Sequence, residues 1–177
     1  MDADFHNYIL MEAHLRRAIE KNELAVHYQP QVQLDTGKIK SFEALLRWRN
    51  PKFGNVPPLK FIPLAEETGL ITSIGAWVID HVCAQIAQWR QKGWAGFRVA
   101  VNISPKQFLD PGLAGLIGRT LEKYKLPASV LEIEITEGAM EDKGHILKVL
   151  SSLKEMGLTI SVDDFGTGYS SLNYLKK

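Results

Sequence analysis

Two adjacent carboxylates, Asp163 and Asp164, follow the apolar run Leu158 to Val162 and open into the turn Phe165-Gly166-Thr167-Gly168. Neighbouring acids at a strand end repel unless a proton or cation lies between them, and a divalent metal is the simplest partner. Strand alternation puts Asp163 on one face with Thr159 and Ser161, while Ile160 and Val162 face the other way. The bland alternative makes Asp164 a helix cap and Asp163 a solvated loop acid. Residues upstream weigh against it: Glu43, Asn102 and Glu134 each lie on the less apolar face of a predicted strand. Carboxylates plus one amide, with no cysteine or histidine at the corresponding strand ends, favour Mg²⁺ or Mn²⁺ over zinc. The adjacent Asp163 and Asp164 permit one acid to bridge two ions and one to serve a second ion alone, the arrangement of two-metal phosphodiester cleavage. Arg47, on the same strand face as Glu43, is placed to clamp a phosphate. Each residue has a structural alternative: Glu43 or Glu134 ion-paired with Arg47, Asn102 as a turn-forming amide, Arg47 in a surface salt bridge.

The elements that must position these groups are read from periodicity. Helical spacing of Met11, Leu15, Ala18 and Ile19 predicts an amphipathic helix within residues 4–21. From Leu24 to Leu34 the period becomes two, with His27, Gln29, Gln31 and Gln33 on an amide-rich face. The short turn Asp35-Thr36-Gly37-Lys38 leads to a second strand over 39–48, so these two strands are expected to be antiparallel. Residues 51–58 read as irregular, with a helix resuming over 61–67 and another over 74–90. A strand over 97–103 carries Asn102, and a helix opened by Asp110 as cap and Pro111 as first-turn proline runs to Tyr124. A strand over 130–136 carries Glu134, and a helix ends at Gly157 before the Asp163 strand.

Later strand starts lie about 25–30 residues apart, the spacing of parallel βα units. A doubly wound sheet would be apolar on both strand faces. Here one face bears polar groups, which predicts a βα barrel of the α/β class, with the donors at the C-terminal strand ends. The 177 residues, 45% hydrophobic with a formal charge of +1, suit one core and offer no footprint for a nucleic-acid polymer. The single cysteine, Cys83, excludes an intramolecular disulfide and is expected to be buried packing. No apolar run of about 18 residues and no signal-peptide pattern is found, so the chain is expected to be cytoplasmic and not membrane-inserted.

Glu43-Ala44-Leu45-Leu46-Arg47 resembles the signature of EAL domains, the bacterial phosphodiesterases that open cyclic di-GMP. Tyr28-Gln29-Pro30, Phe61-Ile62-Pro63-Leu64-Ala65-Glu66, Val101-Asn102-Ile103-Ser104, Glu134-Ile135-Thr136-Glu137 and the Asp163-Asp164 stretch follow in the family's order, covering nearly the whole chain from Leu24. The resemblance implies a TIM-type barrel with an antiparallel first strand, and two Mg²⁺ or Mn²⁺ ions. Glu43, Asn102, Glu134 and Asp163 would hold one ion, and Asp163 with Asp164 the second. Gln29, Leu45 and Arg47 would contact the dinucleotide, and Glu137 would anchor the loop from Asp164 to Ser171, which in the family couples binding to dimerisation. Hydrolysis would give linear 5′-pGpG. The implied partners are cyclic di-GMP, a second copy in a homodimer, and an upstream nucleotide cyclase or sensory domain; the parent protein is compatible with a membrane tether.

Residues 1–22 are expected to form a linker helix and 23–177 a C-terminally truncated EAL domain. A full barrel needs about 250 residues and eight strands, and five are predicted. The family's later lysine, glutamate and glutamine have no counterpart here, so weak or no turnover is expected of the chain alone. Two further readings stand beside the phosphodiesterase: a non-catalytic cyclic di-GMP receptor and a dimerising signalling module.

Overall fold

The computed structural model describes residues 2–136 and 144–163. A leading helix, α1 (Asp2–Arg16), precedes the antiparallel pair β1 (Leu24–Val32) and β2 (Ile39–Asn50). Then follow β3 (Gly54–Val56), α2 (Pro58–Glu67), α3 (Leu70–Gln91), β4 (Arg98–Asn102), a 3₁₀ turn (Pro105–Leu109), α4 (Leu113–Lys123), β5 (Leu131–Thr136), α5 (His145–Glu155) and β6 (Thr159–Asp163). The sheet order is β1-β2-β4-β5-β6, with β3 paired to the far end of β2. Among the described residues the β1–β2 and β2–β3 pairings are antiparallel, and β2, β4, β5 and β6 run parallel.

Because each parallel strand lies beside the one before it, right-handed crossovers place α3, α4 and α5 on the same side of the sheet. That side is the core. Val99, Val101, Leu131, Ile133 and Ile135 are at most 1% exposed, and they meet apolar side chains of the helices such as Ile79, Ile86, Ile117 and Leu153. Each such burial contributes about 1.5–3 kcal/mol. The opposite face is mostly polar, with Ala100 and Leu45 as apolar exceptions, as suits a barrel lumen with a site at its rim. The helix α3 is long and apolar enough to cross a membrane by length and composition, yet here its buried residues, Cys83 among them, form the centre of this core.

Local departures from the sequence reading have physical causes. The 51–58 segment is not wholly irregular: Asn50, 1% exposed, accepts from Lys52 N (3.0 Å) and Phe53 N (3.2 Å), and this turn folds β3 back onto β2. Asn50 Nδ2 also donates to Glu23 Oε2 (2.8 Å), which accepts from Trp48 Nε1 (3.0 Å), so a buried acid ties β1 to β2. Asp110 does not cap α4. Its Oδ1 accepts from Gly112 N at 2.8 Å within a preceding turn, and α4 begins two residues later than Pro111. The leading helix ends at Arg16 rather than near Lys21, and Asn22 adopts a positive φ of 54° at the turn into β1.

Candidate functional site

Strand register decides which of the candidate residues can meet. On β1 and β2, Gln29 lies opposite Glu43, and Leu45 and Arg47 follow on the same face. Glu43 is level with Ala100, two residues before Asn102. Asn102 is level with Glu134, and Glu134 with Ser161, two residues before Asp163. The four donors therefore climb two residues at the first strand step, none at the second and two at the third. Strands in a closed barrel tilt, so residues at equal height climb about one position per strand. A flat register would spread these side chains apart; the stagger brings them to one level at the C-terminal rim.

Contacts define the site further. Asn102 Nδ2 donates to Glu43 Oε1 at 3.0 Å, which leaves the amide oxygen Oδ1 for another partner. Ile103 N donates to the carbonyl of Glu134 at 2.9 Å, tying the exit of β4 to β5. Glu134 is only partly exposed, and its Oε2 is buried without a hydrogen-bond partner, as is Ser161 Oγ beside it in register. Burial first, then the charges of Glu43, Asp163 and Glu132, push the Glu134 carboxyl up to about 7. A buried carboxylate oxygen with no donor, facing other acids, is what a cation would relieve.

Below this rim is a layer absent from the sequence reading. Arg98 Nε meets Glu132 Oε2 at 3.3 Å and its Nη1 donates to Thr159 Oγ1 at 3.2 Å. Ser41 Oγ donates to Gln31 Oε1 at 2.6 Å. Paired polar groups thus line the site face below the rim. The signal was present in the alternation, since Arg98 and Glu132 share the face of Asn102 and Glu134.

The remaining candidates divide clearly. Gln29 is exposed on the site face; Leu45 and Arg47 are half-buried there. Arg47 pairs with neither Glu43 nor Glu134 among the described ion pairs; its Nη1 donates to the Leu46 carbonyl at 2.9 Å. Asp163 ends β6 and is exposed. Asp164, Glu137 and the loop to Ser171 lie outside the described residues. Among the described residues no group of three or more His, Cys, Asp or Glu side chains is set to hold a metal ion. Glu43 and Asn102 are in contact, and Glu134 and Asp163 lie on the same face at the ends of the neighbouring strands. Hard oxygen donors of this kind, one with a buried oxygen lacking a partner, suit Mg²⁺ or Mn²⁺.

Known proteins share the sequence and the fold. The chain is 44% identical over its whole length to the bifunctional diguanylate cyclase/cyclic di-GMP phosphodiesterase MucR of Pseudomonas aeruginosa, covering 26% of that protein. It is 39% identical over its whole length to the cyclic di-GMP phosphodiesterase PdeR of Escherichia coli, covering 27% of it. The chain thus spans about a quarter of the length of these curated relatives. Among solved structures, the PaMucR phosphodiesterase in complex with c-di-GMP superposes with a TM-score of 0.87 at 46% identity, over 92% of this chain and 66% of that one. The EAL domain family matches residues 12–177. The chain belongs to the EAL domain family.

Proposed function

We propose that this chain supplies the acidic wall of an active site that hydrolyses cyclic di-GMP to linear 5′-pGpG. The observation that carries the reading is the staggered placement of Glu43, Asn102, Glu134 and Asp163 on one sheet face, with a buried Glu134 oxygen left without a partner. Family membership and the named activities of the relatives support it.

Glu43, Asn102, Glu134 and Asp163 would hold one Mg²⁺ or Mn²⁺, and Asp163 with Asp164 a second. Two such ions offset charge at a phosphodiester and make water a better nucleophile at neutral pH. The chain's own residues do the rest. Asn102 and Glu43 fix one another through their 3.0 Å hydrogen bond, so two donors arrive pre-oriented. Arg47 keeps donors beyond the one bound to Leu46, and these would meet a phosphate oxygen of the dinucleotide. Leu45 offers apolar surface, and Gln29, opposite Glu43, an amide for a guanine edge. In the net reaction a water oxygen joins phosphorus, the bond to the 3′ oxygen breaks, and that oxygen takes a proton. We place Glu137 as the anchor of the following loop, and a second copy of the chain as its dimer partner. We also place a cyclase or sensory domain elsewhere in the parent protein.

Incubating a complete domain that contains this chain with Mn²⁺ and cyclic di-GMP, and following linear product by chromatography, tests the reading. Product that depends on the metal and is lost in Glu43→Gln supports it. A second reading, a receptor that binds without cleaving, is favoured by Gln29, Leu45 and Arg47, which lie beside Glu43 on β1 and β2 and need no metal to meet a ligand. Binding in Ca²⁺ with no product in Mn²⁺ would select it.

A further inference from the structure

We propose that Glu66, in the last turn of α2, is a positioning residue for Asn102 that acts through Ser104; the inference rests on the metal reading above. Asn102 is the final residue of β4, so its side chain is held by the turn that follows rather than by the ladder alone. Ser104 Oγ in that turn donates to Glu66 Oε1 at 2.6 Å, and Lys106 Nζ donates to the Glu66 carbonyl at 2.9 Å. One residue of a helix far earlier in the chain therefore grips both sides of the turn leaving Asn102.

The hydroxyl of Ser104 is fully used. It accepts from Lys106 N at 3.3 Å as the cap of the 3₁₀ turn, and its single proton goes to Glu66. Gln107 completes the cap, its Oε1 accepting from Ser104 N at 3.1 Å. Gln107 is 3% exposed, and a Cβ placed on Gly75 of α3 would fall 2.0 Å from its Nε2. The turn is thus clamped between α2 and α3, and of the two clamps only the Glu66 side chain is a charged group reaching the residue two positions from Asn102.

Half-buried Glu66 forms no ion pair among the described residues. Lys106 contacts its backbone, so the carboxylate itself serves the Ser104 hydroxyl. A group that orients a metal donor from behind commonly alters metal affinity by about 10–100-fold when removed. The adjacent Glu67 accepts from Tyr8 Oη of α1, so the leading helix is fastened to the same turn.

The test is a Mn²⁺ titration followed by the electron paramagnetic resonance signal of free ion, with a thermal melt for every variant. Glu66→Ala is expected to raise the half-saturating Mn²⁺ about tenfold. Glu66→Gln, whose amide oxygen still accepts from Ser104, should stay within about threefold of wild type. Glu66→Ala should add nothing in an Asn102→Ala background, because its effect travels through that side chain. If Glu66→Ala fails to fold, Ser104→Ala takes its place with the same expected shift. A lowered melting temperature with unmoved Mn²⁺ half-saturation, or additive losses in the double variant, would overturn the inference. Wild-type chain that takes up no Mn²⁺ would overturn the metal reading, and the inference with it.

Discussion

Replacing Glu134 by Gln should stabilise the metal-free chain at pH 8 and leave it unchanged near pH 4.5. In the folded chain the Glu134 carboxyl is pushed from its ordinary 4.5 up to about 7, by burial foremost and then by Glu43, Asp163 and Glu132. A folded value above the unfolded one means that the folded state holds the proton longer. The stability linked to this group is complete below about pH 4.5 and is lost as pH rises through about 7. A difference of about 2.5 units corresponds to about 3.4 kcal/mol at 1.36 kcal/mol per unit. Partial exposure of the site screens this to about 1–2 kcal/mol. Gln carries no charge to lose, and its amide can donate to the acids and to Ser161 Oγ, now without a partner. Urea denaturation in chelator at pH 4.5, 6 and 8 measures the effect. With a slope near 2 kcal/mol/M the midpoint of Glu134→Gln should exceed wild type at pH 8 by roughly 0.5–1 M. Added Mn²⁺ should reverse the order, because only the carboxylate gains from a cation. Parallel wild-type and variant curves across the pH range, or a variant less stable at pH 8, would refute the account of an unrelieved acid.

Asp163→Asn in a complete domain should remove metal-dependent turnover of cyclic di-GMP, checked by product chromatography; unchanged turnover would take Asp163 out of the mechanism. Gly75→Ala should cost about 1–3 kcal/mol in denaturant unfolding, because the added Cβ would lie 2.0 Å from Gln107 Nε2 and the buried amide must move. Cys83 is fully buried and its thiol is pushed up to about 12 by burial first and Asp80 second, so a thiol reagent at pH 8 should label it only as fast as the chain unfolds. Arg98→Met should destabilise the chain by about 1–3 kcal/mol at neutral pH, because Glu132 then remains partly buried without its cation.

The parts of this fold that follow a fixed period were legible in the sequence. Alternation placed Glu43, Glu134 and Asp163 on the polar face and Phe42, Ile133 and Ile160 on the other, and the structure keeps that division through every parallel pairing. The four-residue turn before β2 predicted its antiparallel partner for the same reason. What escaped was short or non-local. Three residues, Gly54–Val56, are too few to show alternation, and their pairing depends on the buried Asn50 amide. Asp110-Pro111 has the form of a helix start, but the same carboxylate closes a turn instead. The grip of Glu66 on Ser104 joins residues that no periodic pattern relates, so only the packed helices reveal it. The register between strands was also beyond the strand pattern, since alternation fixes faces within one strand and not the stagger between neighbours.

Anomalous diffraction from a crystal of this chain soaked in Mn²⁺ tests the central claim most directly. The account predicts a peak within roughly 2.0–2.3 Å of oxygens from Glu43, Asn102, Glu134 and Asp163. No peak at the rim of β2, β4, β5 and β6, or a peak bound by other side chains, would contradict it.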